Sequence, residues 1–283
     1  PNLGANDGSN LFQFLNYSYS DYRPSILFAR SIFDKINTCG DSNLSNLIAL
    51  FSEPNVRRTD LNLTEIIRGD NDGIFIFRRK DVLLLFHRPI FKFRPSQSDI
   101  FHLDLWVRGQ NLLRDAGTFS YYSTNNKFNL YSGTSSHNTV VFDNEDQVPR
   151  YSRFLFAPWP KEMDFTFRKN DSDIFLSSTF KSFYGNVHNR KTKLSQNELV
   201  VFDNISGSFK DAYVNWRLPK SDWIVRNSEN DNEVIIDFKY NLILGKAIPY
   251  ETNESLQYNC ENEIFGVRIY FTEITEIKTI IRF

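Results

Sequence analysis

Methionine occurs once in these 283 residues, cysteine twice and histidine four times. Charge of either sign is also missing in excess: 33 basic against 34 acidic side chains leave a formal net charge of −1. A chain so balanced has no global field with which to recruit nucleic acid or an acidic polymer, so an anionic ligand must be held by a local basic patch. Cys39 and Cys260 lie far apart, and two free buried thiols are favoured over a disulfide between them. No apolar run approaches the roughly 20 residues that span a bilayer, and no signal peptide is visible. The chain opens at Pro1 without an initiator methionine, which reads as a processed protein or an excised piece. No repeat of short period is present.

What is abundant is aromatic. With 27 Phe and 13 Tyr, aromatics reach 16% of residues, a composition suited to strands and sheet-on-sheet cores. Only the first part reads as helical. The run RPSILFARSIFDKI puts Ile26, Ala29, Phe33 and Ile36 on one face behind Pro24. SNLSNLIALF repeats the pattern with Leu44, Leu47, Ile48 and Phe51, capped by Asp41 or Ser42 and ended by Pro54. From Gly73 the period changes. GIFIF, the turn RRKD and VLLLFHRP form a hairpin pattern. Strand candidates HLDLWV, NLLRDAG, NTVVFD, DFTFRK, DIFLSSTF, HNRKTKLS, ELVVFDN, AYVNWRL, EVIIDFKY and GVRIYF follow, separated by Asn-, Asp-, Gly- and Ser-rich turns. The expected fold is mostly β: a short α-helical segment, residues 1–68, followed by a large antiparallel β-sandwich, residues 69–283.

Three residues in the middle can converge: His102, Asp115 and His137. Their intervals match what adjacent strands and their turns consume. Two imidazoles and a carboxylate are a common zinc set that leaves a fourth position open. No CxxC or HExxH motif supports it, so separate structural histidines are the favoured outcome at this point. Around this stretch lie local clusters of basic residues. Arg88, Lys92 and Arg94 alternate with aromatic and apolar residues in RPIFKFRP, Arg150 and Arg153 follow the HNTV strand, and Arg190, Lys191 and Lys193 flank His188. Such groups suit carboxylates or sulfates. His87 and His188 read as satisfied histidines rather than ligands.

The run DIFHLDLWVRGQNLLRDAGTFSYY followed by GTSSHNTVVFDNEDQVPR resembles the signature of the heparinase II/III-like polysaccharide lyases. His102, Asp104, Gly109, Asp115, Gly117, Thr118, Tyr121 and His137-Asn138-Thr139-Val140 fit it. LGANDGSNLF, VHNRKTKL and LVVFDNISG extend the resemblance from Gly4 to about Leu218. It implies an N-terminal α/α toroid before an antiparallel sandwich, with the substrate cleft between them. The present chain would then be the sandwich and the last toroid helices. It implies a structural zinc held by His102, Asp115 and His137, with Asn138 and Asp104 orienting them.

The chemistry it implies is β-elimination on uronic-acid-containing acidic polysaccharide. A carboxylate is neutralised, a base takes the C5 proton and an acid protonates O4. The neutralising Asn or Glu and a catalytic Tyr belong to the toroid. The sandwich histidine that usually stands two positions before the first zinc ligand is here Ile100, which moves no proton. Gln97 and Asp99 are polar neighbours of unsuitable chemistry, and Tyr121, Tyr122 and Tyr151 are the phenolic candidates. The expectation is a bacterial, periplasmic or secreted lyase whose isolated sandwich is inactive, partnered by acidic polysaccharide and by the toroid. The alternative is a non-catalytic carbohydrate-binding or structural sandwich.

Overall fold

A computed structural model describes residues 73–283 apart from 93, 123–126, 221–222, 228–232, 238–241, 245–246 and 272–274, together with 25–26, 29, 33, 36–37, 57–58 and 65–68. The chain divides into two units, Gly8–Thr64 and Pro1–Asp7 with Glu65–Phe283. In the smaller unit Ser25, Ile26, Ala29 and Phe33 are helical. Ile26 and Phe33 expose 56% and 82% of their surface. Ile36, expected on the same helical face, instead starts a two-residue strand β1 (Ile36–Asn37) paired with β2 (Arg57–Arg58). The second expected helix, Leu44 to Phe51, lies outside the described residues, as does the Gly4 stretch.

The larger unit is mostly β, as the aromatic content predicts. The expected hairpin is there as β4 (Ile74–Arg79) and β5 (Val82–His87). With β3 (Glu65–Arg68), β6 (Leu103–Val107) and β7 (Gln110–Leu113) it forms a five-stranded sheet. A four-stranded sheet runs β19 (Ile248–Glu254), β20 (Asn262–Tyr270), β15 (Ala212–Leu218) and β8 (Val140–Phe142). The largest sheet has eight strands. Its order is β11 (Glu162–Lys169), β12 (Ile174–Lys181), β13 (Val187–Leu194), β14 (Glu198–Ser206), β21 (Glu276–Arg282), β17 (Glu233–Asp237), β16 (Ile224–Asn227) and β18 (Leu242–Leu244).

These sheets enclose one core. Phe75 of β4 packs on Phe165 and Phe167 of β11 at ring distances of 6.3 and 5.1 Å. Trp216 of β15 donates its indole N–H to Thr279 of β21. The five- and four-stranded sheets thus both face the eight-stranded one, and the Arg114 N–H bonds the Arg217 carbonyl where their ends meet. Side chains on β13 alternate: His188, Arg190, Thr192 and Leu194 are buried, while Lys191 is exposed. That is the period of two expected when one strand face is covered.

Three expectations need correction. The sandwich is not purely antiparallel, because β21 runs parallel to β17 and β16 parallel to β18. A parallel pair needs a long crossover, and between β17 and β21 the chain crosses to the other layer to form β19 and β20. A short helix α1 (Lys127–Ser132) interrupts the β region. Cys260 is exposed rather than buried, in the turn between β19 and β20, and makes no disulfide.

Candidate metal centre

His102 directly precedes β6, Asp115 follows β7, and His137 caps the 3-10 turn Thr134–Ser136 just before β8. The three are therefore not on adjacent strands, as their spacing suggests. They come from two different sheets and meet where β7 and β15 end. All three are buried. One ligand atom from each lies within 4.8 Å of the others. Asp115 Oδ2 is 3.1 Å from His137 Nδ1 and 3.6 Å from His102 Nε2. A tetrahedral zinc with ligands near 2.0–2.1 Å separates them by roughly 3.3 Å, between the two observed distances.

The local backbone is built to aim these groups. Gly117, at φ +79°, turns its N–H onto Asp115 Oδ1 at 2.6 Å. That bond occupies one carboxylate oxygen and leaves Oδ2 toward the histidines. Phe101 also lies in the left-handed region, at φ +63°, a strained conformation for a bulky side chain. It is held by its N–H to the His87 carbonyl and by stacking of its ring on Phe86 at 5.3 Å. The next residue is His102.

Asn138, expected to orient the ligands, touches the surroundings of all three. Its backbone N–H donates to His102 Nδ1 at 2.9 Å. Its side-chain amide donates to the carbonyls of Leu103 and Arg114, the neighbours of His102 and Asp115, at 2.8 and 3.2 Å. Its side-chain oxygen accepts the Arg217 N–H at 2.6 Å. Asp104 does not share this role. Among the described residues neither carboxylate oxygen finds a hydrogen-bond partner. Burial, with the Asp115 carboxylate adding to it, raises its pKa to about 7.

The residues fit a divalent ion. Burial, reinforced by the positive character of His87, His137, Arg190 and Arg217, pushes the His102 pKa well below the ordinary histidine value, so the ring is neutral and in the form that binds metal. His102 Nε2 and His137 Nε2 have no hydrogen-bond partner among the described residues. One detail is unusual. Metal-bound histidines mostly donate their second N–H, whereas His102 Nδ1 accepts one. Its proton therefore sits on Nε2, and an ion bound there would require that proton to move to Nδ1 and the Asn138 N–H to turn away.

The other sequence candidates fall into two groups. Arg88 is buried, forked onto Glu162 at 3.0 and 2.6 Å, with its guanidinium 3.6 Å over the Phe165 ring. Arg150 bonds Ser132, the Asn129 carbonyl and Asp146. Arg190, read as a surface cation, is fully buried on Asp203. These three are internal anchors. Lys92, Arg94 and Arg153 are exposed. Arg94 lies 5.9 Å from the Phe154 ring, which meets Tyr121 edge-on, and Arg153 lies 5.8 Å from the Tyr122 ring. Tyr122 and Tyr151 are among the most exposed aromatics. The structure thus groups two of the cations with two of the tyrosines in one exposed patch.

Ile100 is in the core, and its carbonyl accepts from Thr139 and Gln147. Gln97 donates to the Gly117 carbonyl, and Asp99 is paired with His87 at 2.7 Å. His188 bonds Asp203 at 2.7 Å, so each remaining histidine pairs one ring nitrogen with a carboxylate, while His87 Nε2 and His188 Nδ1 are buried without a hydrogen-bond partner among the described residues.

A sandwich of two β layers with a buried His–Asp–His cluster at the junction of two sheets defines the class of domain. The model of the heparinase II/III-like C-terminal family matches residues 63–275, and the chain belongs to that family. Solved structures that it resembles include the heparan sulfate lyase HepC from Pedobacter heparinus, at 17% identity and TM-score 0.63, over 92% of this chain and 41% of that one. A heparinase III gene product aligns at 16% identity and TM-score 0.63, over 93% and 41% of the two chains. Another heparinase III aligns at 12% and 0.63, over 94% and 43%. The chain spans about two fifths of the length of these structures, and at such identities the likeness is one of fold. No curated protein sequence matches it.

Proposed function

We propose that this chain is the sandwich portion of a polysaccharide lyase that cleaves uronic-acid-containing acidic polysaccharide by β-elimination, in the periplasm or outside the cell. The observation that carries the reading is the convergence of His102, Asp115 and His137 at zinc-like separations. A zinc ion there would be held by those three residues and would supply a cross-link between the five- and four-stranded sheets rather than a reacting group. The patch of exposed Arg94, Arg153 and Tyr122 with half-buried Tyr121 is, among the described residues, the surface best suited to an acidic glycan. Its cations can meet carboxylates or sulfates and its rings can stack on sugar faces.

The proton-transfer groups of the elimination are placed outside this chain, on a toroid domain. Ile100 supports that assignment, since its side chain is in the core and moves no proton. The isolated chain would then bind the polysaccharide without turning it over. Ile100 equally favours the second reading, a carbohydrate-binding sandwich with no catalytic role in any context. The test is to assay the chain alone, and joined to a toroid, on heparan sulfate, chondroitin and alginate for the ultraviolet absorbance of an unsaturated uronate. Product from the joined protein only is expected. Product from the isolated chain would overturn the assignment, and none from either would leave the binding module.

A further inference from the structure

The sequence stretch VHNRKTKL contains a His-x-Arg pair with no role in the site as described so far. On β13 the two side chains are two residues apart and point inward together. Opposite them on β14, Asp203 pairs in register with Arg190. The Arg190 guanidinium grips Asp203 with Nε and Nη2, at 2.6 and 2.9 Å, and His188 Nε2 shares the same carboxylate at 2.7 Å. All three side chains are fully buried.

One Arg190 nitrogen is left over. Nη1 donates to two backbone carbonyls at once: Phe101 at 2.7 Å and Asn138 at 2.6 Å. Phe101 is the residue before His102, and Asn138 is the residue after His137. Both belong to the layer facing β13, so a single nitrogen ties together the residues next to the two candidate histidine ligands. Phe101 is also the position with the strained left-handed backbone. Such a conformation persists only where the surroundings over-determine it, and here they do. Its carbonyl is on Arg190 and its ring meets His188 and Phe180 edge-on at 5.1 and 5.0 Å.

We propose that Arg190, oriented by Asp203 and His188, is the positioning residue of the metal centre, setting the separation and angle of the His102 and His137 rings from the opposite sheet. The proposal rests on the zinc reading above. Lysine cannot replace this arginine. A guanidinium offers a planar fork for the carboxylate and a further donor for the two carbonyls, whereas an ammonium is a single point. Groups that orient a metal's ligands without touching the ion typically change its affinity 10- to 100-fold when lost, by about that factor in other sites.

The experiment compares the chain with its Arg190→Lys and Thr279→Val variants. Thr279→Val removes the Trp216 partner, a buried hydrogen bond of the same core; the Trp216 ring lies 5.2 Å from the Arg190 guanidinium, so this variant disturbs the packing around the clamp while leaving its hydrogen bonds in place. Cobalt and zinc affinities, the visible cobalt spectrum and the chelated melting temperature are measured for each. Arg190→Lys is expected to weaken metal binding about 10- to 100-fold and to shift the cobalt bands, while Thr279→Val lowers the melting temperature with affinity and spectrum unchanged. If Arg190→Lys is insoluble, Asp203→Asn takes its place with the same expectation, since it keeps the side-chain shape and loosens the fork. Wild-type affinity and spectrum in either clamp variant would overturn the proposal while leaving the metal centre standing. A wild-type chain that binds neither metal would overturn both.

Discussion

Replacing His137 by alanine separates a metal centre from a buried hydrogen-bond cluster. The imidazole is fully buried and its Nδ1 is 3.1 Å from Asp115 Oδ2. Without it, that oxygen keeps only His102 Nε2, at 3.6 Å, beyond hydrogen-bond range. A buried acceptor stripped of its donor costs about 1–3 kcal/mol. A metal that binds only the native state adds about 2.7 kcal/mol when present at 100 times its dissociation constant. With metal in the buffer the substitution should therefore remove about 4–6 kcal/mol. At about 2–4 °C per kcal/mol for a domain near this size, the melting temperature should fall by roughly 10–20 °C. The assay is thermal unfolding with zinc and with chelator, alongside elemental analysis. Chelator should lower the wild-type midpoint and leave His137→Ala unmoved. If chelator does not shift the wild type, or if His137→Ala keeps a full complement of zinc, the centre does not exist as described.

Arg88→Met should destabilise by about 1–3 kcal/mol in urea, since it leaves half-buried Glu162 with only the Ser178 hydroxyl as a partner, with zinc content unchanged; a stability within error of wild type would return Arg88 to the surface candidates. Arg153→Ala with Arg94→Ala should weaken heparan sulfate binding and its salt dependence while moving the melting temperature little; retained affinity would shift the glycan surface elsewhere. The chelated chain should lose stability as pH falls below about 6.5. Burial lowers the pKa of both His102 and His188 in the fold, so the unfolded state takes protons that the native state refuses. His87, whose pKa Asp99 raises against the cost of burial, works in the opposite direction. His188→Gln should flatten the acid slope measured in urea, and an unchanged slope would mean that His188 is not the group responsible.

Much of the β domain was readable because its strands announce themselves locally. GIFIF and VLLLFH around RRKD became β4 and β5, and VHNRKTKL became one strand with its period of two intact. Some strands absent from the sequence expectation lack such a signal. Over the seven residues of β19, IPYETNE, only Glu254 is buried, so no apolar alternation marks it. β9 (Arg150–Ser152) and β10 (Leu155–Phe156) are three and two residues long, too short for any period. Parallel pairing of β17 with β21 cannot be seen in either segment, because it is set by the excursion through β19 and β20 between them.

The site shows the same division between what a motif carries and what only packing reveals. His102, Asp115 and His137 were nameable because each sits in a run whose residue types match a ligand set. The cations were not sortable in the same way: Arg88, Arg150 and Arg190 look in sequence like Arg94 and Arg153. What distinguishes them is whether a carboxylate meets them across the fold, and Glu162, Asp146 and Asp203 are 74, 4 and 13 residues away. The period of β13 did contain one clue. In HNRKTKL, Arg190 falls in phase with Thr192 and Leu194, the face that alternation assigns to the core, while Lys191 falls out of phase. A buried arginine needs a partner of opposite charge, and DNIS on the next strand supplies an aspartate in the matching phase. Read that way, two adjacent strands predict their own buried ion pair. The sequence does not show that the arginine's spare donor reaches across the sandwich to the carbonyls beside His102 and His137, because that contact exists only once both layers have closed.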